Sequence, residues 1–453
     1  MNRHIFLFLV LLMGSEICSA QNWVNLFDGK TLDGWKQITG TASFEVKDKA
    51  IVGTTVPNSP NSFLRTEKTY GDFILELEVL IEDSGSNSGI QFRSQFDASA
   101  NNGKGRVYGY QYELDPSVRM WTAGIYDEGR REWLYPLSLN ASAQKRLHTG
   151  TYSKVRIECQ GNEIRTFINN IPAAHLIDAV DANGFIALQV HSINSKDKAG
   201  KKIYWRNIRI AEGKFAFTKF PADVFIVNTA INTLSDAEKK AGWKLLFDGK
   251  SAKGWKGAYK PNFPEKGWRI QDGELQVLSS GGAESTNGGD IVTLEKYAAF
   301  DLSFDFKLSK GANSGVKYFV TLKENNPGSA IGLEYQLLDD DVHPDSKMGR
   351  DGNRTLASLY DLIKAEKQSR FVRKPEQWNT ARIVVYPNNL VQHYLNGVKV
   401  LEYQRGSSAY KELVALSKYK VWENFGEAPE GHILLQDHGD AVSFRSIKIK
   451  KLK

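Results

Sequence analysis

The sequence predicts an all-β protein built as two tandem antiparallel β-sandwiches. Three observations carry this. Its strand-like segments are short, alternate apolar with polar residues, and are rich in Val, Ile, Phe, Tyr and Trp. Gly, Asn and Asp punctuate them as turn residues do. A set of landmarks also occurs twice in the same order, at a separation of 220 residues for the first of them. A period of that length marks a duplicated domain, not a solenoid.

The chain opens with a basic Arg3-His4, an apolar core from Ile5 to Met13, and small residues at Cys18-Ser19-Ala20. That pattern predicts a secretory signal over residues 1–20, cleaved near Ala20, and so a periplasmic or secreted location. Lipidation at Cys18 fits less well, because Ile17 is bulky where such signals want a small residue. No later apolar run is long enough to span a membrane.

The first sandwich is expected over residues 21–212. It begins with Leu26-Phe27-Asp28-Gly29-Lys30-Thr31-Leu32-Asp33-Gly34-Trp35-Lys36. This returns as Leu246-Phe247-Asp248-Gly249-Lys250-Ser251-Ala252-Lys253-Gly254-Trp255-Lys256, with eight of eleven positions identical. Residues 73–79 and 300–306 alternate as strands. Asn87-Ser88-Gly89 is matched by Asn313-Ser314-Gly315, and the strand at 109–115 by that at 332–339. Asn169-Asn170 and Asn396-Gly397 predict hairpin turns. Residues 184–192 pair with 431–439, each carrying Gln-x-His on one strand face, and 205–210 pair with 444–449. Between the copies, residues 213–241 read as a linker. There Ser235-Asp236-Ala237-Glu238 predicts a capping box opening a short helix. The second sandwich is expected over 242–453, its last strand turning Lys448 and Lys450 to solvent.

The formal charge is +7 and the isoelectric point about 9.0, but the basic residues form no block, which argues against nucleic-acid binding. Once Cys18 leaves with the signal, Cys159 stands alone, so no internal disulfide or cysteine metal site forms. It reads as a small buried apolar residue.

Alternation gathers the candidate site residues. In the first copy Ile90 and Phe92 face the core, which puts Gln91 and Arg93 on the other side. Tyr110, Tyr112 and Leu114 point inward, and Gln111, Glu113 and Asp115 outward. Gln189 and His191 join that polar set. In the second copy Leu333, Tyr335 and Leu337 go inward, leaving Glu334 and Gln336 with Gln436 and His438. Lys317 stands where the first copy has Gln91. A wet sheet face needs no function, but carboxylate, amide and imidazole together, twice and rimmed by aromatics, suit a sugar. Loops add Trp121, the stretch from Tyr126 to Arg131 and Trp133 in one copy, and Tyr360-Asp361 and Ser417-Lys418-Tyr419-Lys420 in the other. Asp339, His343 and Asp345 form an acidic loop that reads either as a divalent-cation site or as a solvated turn.

Leu-Phe-Asp-Gly-Lys…Gly-Trp, Asn-Ser-Gly, the Glu/Gln strand, Trp378-Asn379, the Asn-Gly hairpin, Leu434-Leu435-Gln436-Asp437-His438-Gly439 and the terminal Phe444-Arg445-Ser446-Ile447-Lys448-Ile449 strand together resemble the 3-keto-disaccharide hydrolase family. The resemblance covers both copies. It implies concanavalin A-like jelly-roll sandwiches, a secreted or periplasmic protein of Bacteroidota and related bacteria, and action on glycosides oxidised at C3. A separate oxidoreductase would have to supply that C3 ketone. The ketone acidifies the C2 proton, so the C1 oxygen can leave by elimination, and water addition completes a net hydrolysis. On this reading Glu334 and His438 are candidates for proton transfer, with Lys317, Gln336 and Gln436 binding the substrate. Glu113 and His191 are their counterparts, with Gln91, Arg93, Gln111, Gln189, Trp121 and Trp133 as binding candidates. Tyr126 and Tyr360 are candidate acids. The chain departs from the family pattern at Phe319, where the first copy has Arg93, and at Val190, where the second has Asp437.

Other readings stay open. A non-catalytic sugar-binding protein would use the same side chains. A retaining endo-glucanase needs Glu-x-Asp-x-x-Glu on one strand, and Glu113-Leu114-Asp115-Pro116-Ser117-Val118 ends in valine, with a strand-breaking proline. No Gly-x-Gly-x-x-Gly and no Gly-x-Ser-x-Gly occurs, which argues against a dehydrogenase and a serine hydrolase.

Overall fold

The computed structural model describes residues 21–194, 196–322 and 330–453. The expected signal segment lies outside the described residues. Each half of the chain is a two-sheet antiparallel sandwich, as the alternation predicts. Among the described residues the first half has a nine-stranded sheet, one strand of it supplied by the linker, and a seven-stranded sheet, and the second half an eight-stranded and a five-stranded sheet. No helix among the described residues is long and apolar enough to cross a membrane.

Alternation fixes which side chains fill the space between the sheets. In the first half Phe73, Leu75, Leu77 and Val79 meet Tyr110, Tyr112, Leu114, Ile186, Leu188 and Val190. In the second, Phe300, Leu302, Phe304 and Phe306 meet Leu333, Tyr335, Leu337, Ile433 and Leu435. Burying each such side chain contributes about 1.5–3 kcal/mol. Cys159 lies buried in the first core.

The repeated opening motif has a structural cause. Asp28 accepts the amides of Lys30 and Thr31, as Asp248 does those of Lys250 and Ser251. Each is a side-chain-closed turn. The indoles of Trp35 and Trp255 then donate to the carbonyls of Leu26 and Leu246, at 2.7 and 2.6 Å. The hairpins turn where expected, with φ of 49° and 64° at Asn169-Asn170 and 48° and 79° at Asn396-Gly397.

The linker stitches the halves together. Val227–Asn228 pairs in parallel with Ile171–Ile177. The helix Asp236–Lys240 carries the expected capping box. Glu238 also reaches back to Lys448 at 2.5 Å. Lys448 is therefore not on a solvent face: it is only 6% exposed, because the linker folds over that end of the sheet. The halves touch directly as well. Ser138 donates to the Gly397 carbonyl at 2.6 Å, and Phe371 and Tyr394 pack into the first core.

Candidate active site in the second half

Three neighbouring strands of the five-stranded sheet build the site: Ile331–Leu338, Asn313–Thr321 and His432–Leu435. Register places Lys317 beside Glu334 on one side and Leu434 on the other, and Gly315 beside Gln336. A side chain at Gly315 would collide with the Glu334 carboxylate, and one at Gly89 with Gln111. The glycine of the repeated Asn-Ser-Gly thus makes room for the polar residue of the next strand.

These residues open into a cleft of about 190 Å³, closed around by Glu284, Tyr360, Lys418, Tyr419, Trp422 and His438. Lys317, Glu334, Gln336, Gln436, His438 and Tyr360, expected from the sequence, all line it. Burial pushes the Glu334 carboxyl upward, against the pull of Lys317, Lys418 and His438. With its amide nitrogen turned toward Glu334, Gln336 donates to Oε1 at 3.1 Å. Lys317 is 5% exposed, and among the described residues its ammonium reaches only the Ala330 carbonyl, at 3.4 Å. The Gln436 side-chain oxygen is buried with no partner among the described residues. A buried cation and a buried carbonyl with unspent hydrogen bonds are costly unless something fills the cleft. His438 Nε2 lies 3.3 Å from the Asn313 amide. Tyr360 donates to Asp345 at 2.8 Å, and burial and that carboxylate both raise its pKa, so it holds its proton.

Asp437 lies behind the cleft, not in it. Its buried carboxylate accepts the amides of Gly288, Gly289 and Gly439 at 2.9–3.2 Å. Its carbonyl takes the Ser285 amide at 2.8 Å. These bonds hold down the Gly- and Ser-rich loop that carries Glu284 to the cleft. Its amide donates to Asp290, whose carboxyl burial pushes up to about 6, opposed by Lys317. The sequence reading missed Glu284 and Asp290. The Gly/Ser-rich run at 279–289 was the available signal for a loop.

Asp339, His343 and Asp345 do not form a ligand set. Asp339 accepts the amides of Gly311 and Asp341. Asp345 is held by Arg354 at 3.0 Å and by Tyr360. His343 Nδ1 takes the Asp345 amide. Among the described residues no three His, Cys, Asp or Glu side chains meet as a metal would need.

The first half arranges its counterparts differently. Gln91 pairs with Gln111, and Gly89 with Glu113. Gln111 therefore occupies the Glu334 position and Glu113 the Gln336 position. Ser94, Gln91, Gln111 and Glu113 form a buried chain of hydrogen bonds of 2.6–2.8 Å, closed by Asn87 at 2.8 Å. Burial pushes Glu113 up to about 7. Gln189 is 0% exposed, with neither end of its amide paired among the described residues. His191 bonds the Ser192 carbonyl and lines a separate cavity with Lys198 and Lys201, which Glu113 does not line.

Two expectations for the first half need correction. Arg93 does not face the polar surface. A bulge interrupts the strand there, and Arg93 takes φ of 48°. Its guanidinium is spent on the Gly71 and Gly161 carbonyls and on Asp72. Phe319 occupies the same bulge with φ of 53° and packs into the second core. The Arg93/Phe319 difference therefore lies outside the cleft. Trp121 is no stacking platform either: it is buried between Trp133 and Phe371, at ring distances of 4.7 and 5.3 Å. Trp133 also contacts Tyr126, at 5.4 Å. Burial raises the Tyr126 hydroxyl to about 12.

A 3-keto-disaccharide hydrolase from Bacteroides thetaiotaomicron is 40% identical over 233 residues, 47% of this chain and 79% of that protein. A crystal structure of a candidate glycosyl hydrolase from Parabacteroides distasonis covers 49% of this chain and 100% of its own, at 31% identity and a TM-score of 0.44. A second from the same organism covers 46% and 99%, at 28% identity and 0.34. The family model for the 3-keto-alpha-glucoside-1,2-lyase-like domain matches residues 22–211 and again 242–450. The chain belongs to that family and carries its domain twice.

Proposed function

We propose that this chain cleaves 3-keto-disaccharides or 3-keto-glucosides, and that turnover takes place in the second half. The observation that carries this reading is the meeting of Lys317, Glu334 and His438 in one cleft, with Lys317 and Gln436 left short of partners among the described residues. The 40% identical relative named as a 3-keto-disaccharide hydrolase supports the substrate class.

The chemistry follows from the ketone. Glu334, its basicity raised by burial, takes the C2 proton. The C2–H electrons form the enolate, and the negative oxygen at C3 falls to the Lys317 ammonium. The enolate then collapses. C3=O re-forms, C1=C2 forms, and the C1–O bond breaks. His438 gives the departing oxygen a proton, with Tyr360 as the alternative donor. Water adds across C1=C2, hydroxyl to C1 and hydrogen to C2, and the net result is hydrolysis. Gln336 and Gln436 orient hydroxyls. The substrate would come from a separate C3-oxidising oxidoreductase. The basic, apolar, small-residue pattern of residues 1–20 supports export to the periplasm or beyond.

Mass spectrometry of products from a 3-keto-glucoside and from the unoxidised glucoside tests the reading. Cleavage of the keto form alone, lost in Glu334→Gln and His438→Ala, is the expected result. Cleavage of the unoxidised sugar, or full turnover by both variants, would overturn it.

A further inference from the structure

The cavity between the two halves stands apart from this cleft. It encloses about 290 Å³. Its floor is one face of the second half's eight-stranded sheet, with Ser303, Asp305 and Arg445. Its walls come from the linker and from the Trp133–Leu139 stretch of the first half.

Four cations line it, and each is already matched. Arg382 pairs with Asp301 at 2.7 Å, Arg445 with Asp305 at 3.2 Å, Arg373 with Glu132 at 3.0 Å, and Lys448 with Glu238 at 2.5 Å. The cavity therefore offers an anion no unbalanced charge. It does offer oriented donors. Arg445 spends only Nε on Asp305, so both terminal nitrogens lack a partner among the described residues. The Ser303 hydroxyl also has none there. The half-buried Trp378 ring is fixed by the Arg445 guanidinium at 3.9 Å and the Lys307 ammonium at 4.8 Å from its centroid. Phe225 and Trp133 face the same space.

We infer that this cavity is a second binding site, for a neutral sugar ring. Trp133, Phe225 and Trp378 line the cavity with aromatic surface that suits the apolar face of a pyranose. Guanidinium and hydroxyl donors held rigid by ion pairs suit its hydroxyls. An unoxidised sugar would bind here without being cleaved, so the site can hold a saccharide chain or a released sugar near the second half.

The test is calorimetric titration of the mature full-length chain with methyl α-glucoside, an unoxidised probe. Saturable binding should weaken about tenfold in Trp378→Ala and fail in Ser303→Leu, which fills the floor. Glu334→Gln should keep it. Both cavity variants should still turn over a 3-keto-glucoside, which shows that they fold and separates this site from the proposed reaction. Absence of saturable binding would overturn the inference. So would binding that survives Trp378→Ala but is lost in Glu334→Gln, because the sugar would then occupy only the cleft. Competition by inorganic phosphate would overturn the neutral-ligand assignment.

Discussion

The two halves lay the same strand pair beneath the same face and place charge on it differently. In the second half Lys317 and Glu334 lie side by side, with Gln336 one step along. In the first, Gln91 and Gln111 take those positions, and the carboxylate has moved to Glu113. One swap of Glu and Gln, and one of Lys for Gln, changes an open charged cleft into a buried amide chain. Burial raises the Glu113 carboxyl to about 7, and the Arg119 charge opposes that only weakly. At Glu334 burial also raises the carboxyl, but there Lys317, Lys418 and His438 pull the other way. Duplication kept the backbone, and the chemistry followed the side chains.

The largest expected effect is at Glu334. Glu334→Gln should lower kcat on a 3-keto-glucoside by about 10²–10⁴-fold, while Glu113→Gln changes it less than about twofold. A larger loss at Glu113 would reverse the assignment of the halves. Lys317→Met should cost about 10²–10³-fold in kcat with little change in KM, as expected for a cation acting on the enolate.

Asp437→Ala strips three backbone amides of their acceptor and should cost about 2–4 kcal/mol in urea unfolding. It should also lower turnover, because the Glu284 loop comes free. Val190→Ala, at the matching position, should cost stability without lowering turnover. Equal loss of turnover in both would mean that Asp437 is only structural.

The halves should also differ in pH response. The folded-state value of Glu113 lies above its unfolded value, so the unfolded chain gives up this proton first as pH rises. Stability contributed by the protonated form is full below about pH 4.5 and lost on the way to about pH 7. The loss is about 3 kcal/mol. Asp290 acts in the same direction, so the readout is the difference between wild type and Glu113→Gln, which should flatten the curve in urea titrations at successive pH. Parallel curves would place the proton elsewhere. The smallest effect should come from the tyrosines. Tyr360→Phe should cost about tenfold in kcat, and Tyr126→Phe should leave kcat unchanged.

Sequence by itself determined the all-β class, the duplication, the hairpin turns, the capping box, and the faces of Glu334, Gln336, Gln436 and His438. These follow from local rules: a period of two, turn chemistry and repetition. Tertiary structure decided what no local rule carries. The bulge turned Arg93 away from the polar face, because one extra residue reverses alternation. The linker buried Lys448, and Phe371 from the other half closed over Trp121. Asp345 was claimed by Arg354 and Tyr360, and Asp339 by backbone amides, which removed the metal reading. Glu284 entered the cleft only through a loop pinned by Asp437, more than a hundred residues further along the chain. The placing of Lys448, Trp121 and Glu284 depends on partners distant in sequence. Alternation says which way a side chain points, but only packing says what it meets there.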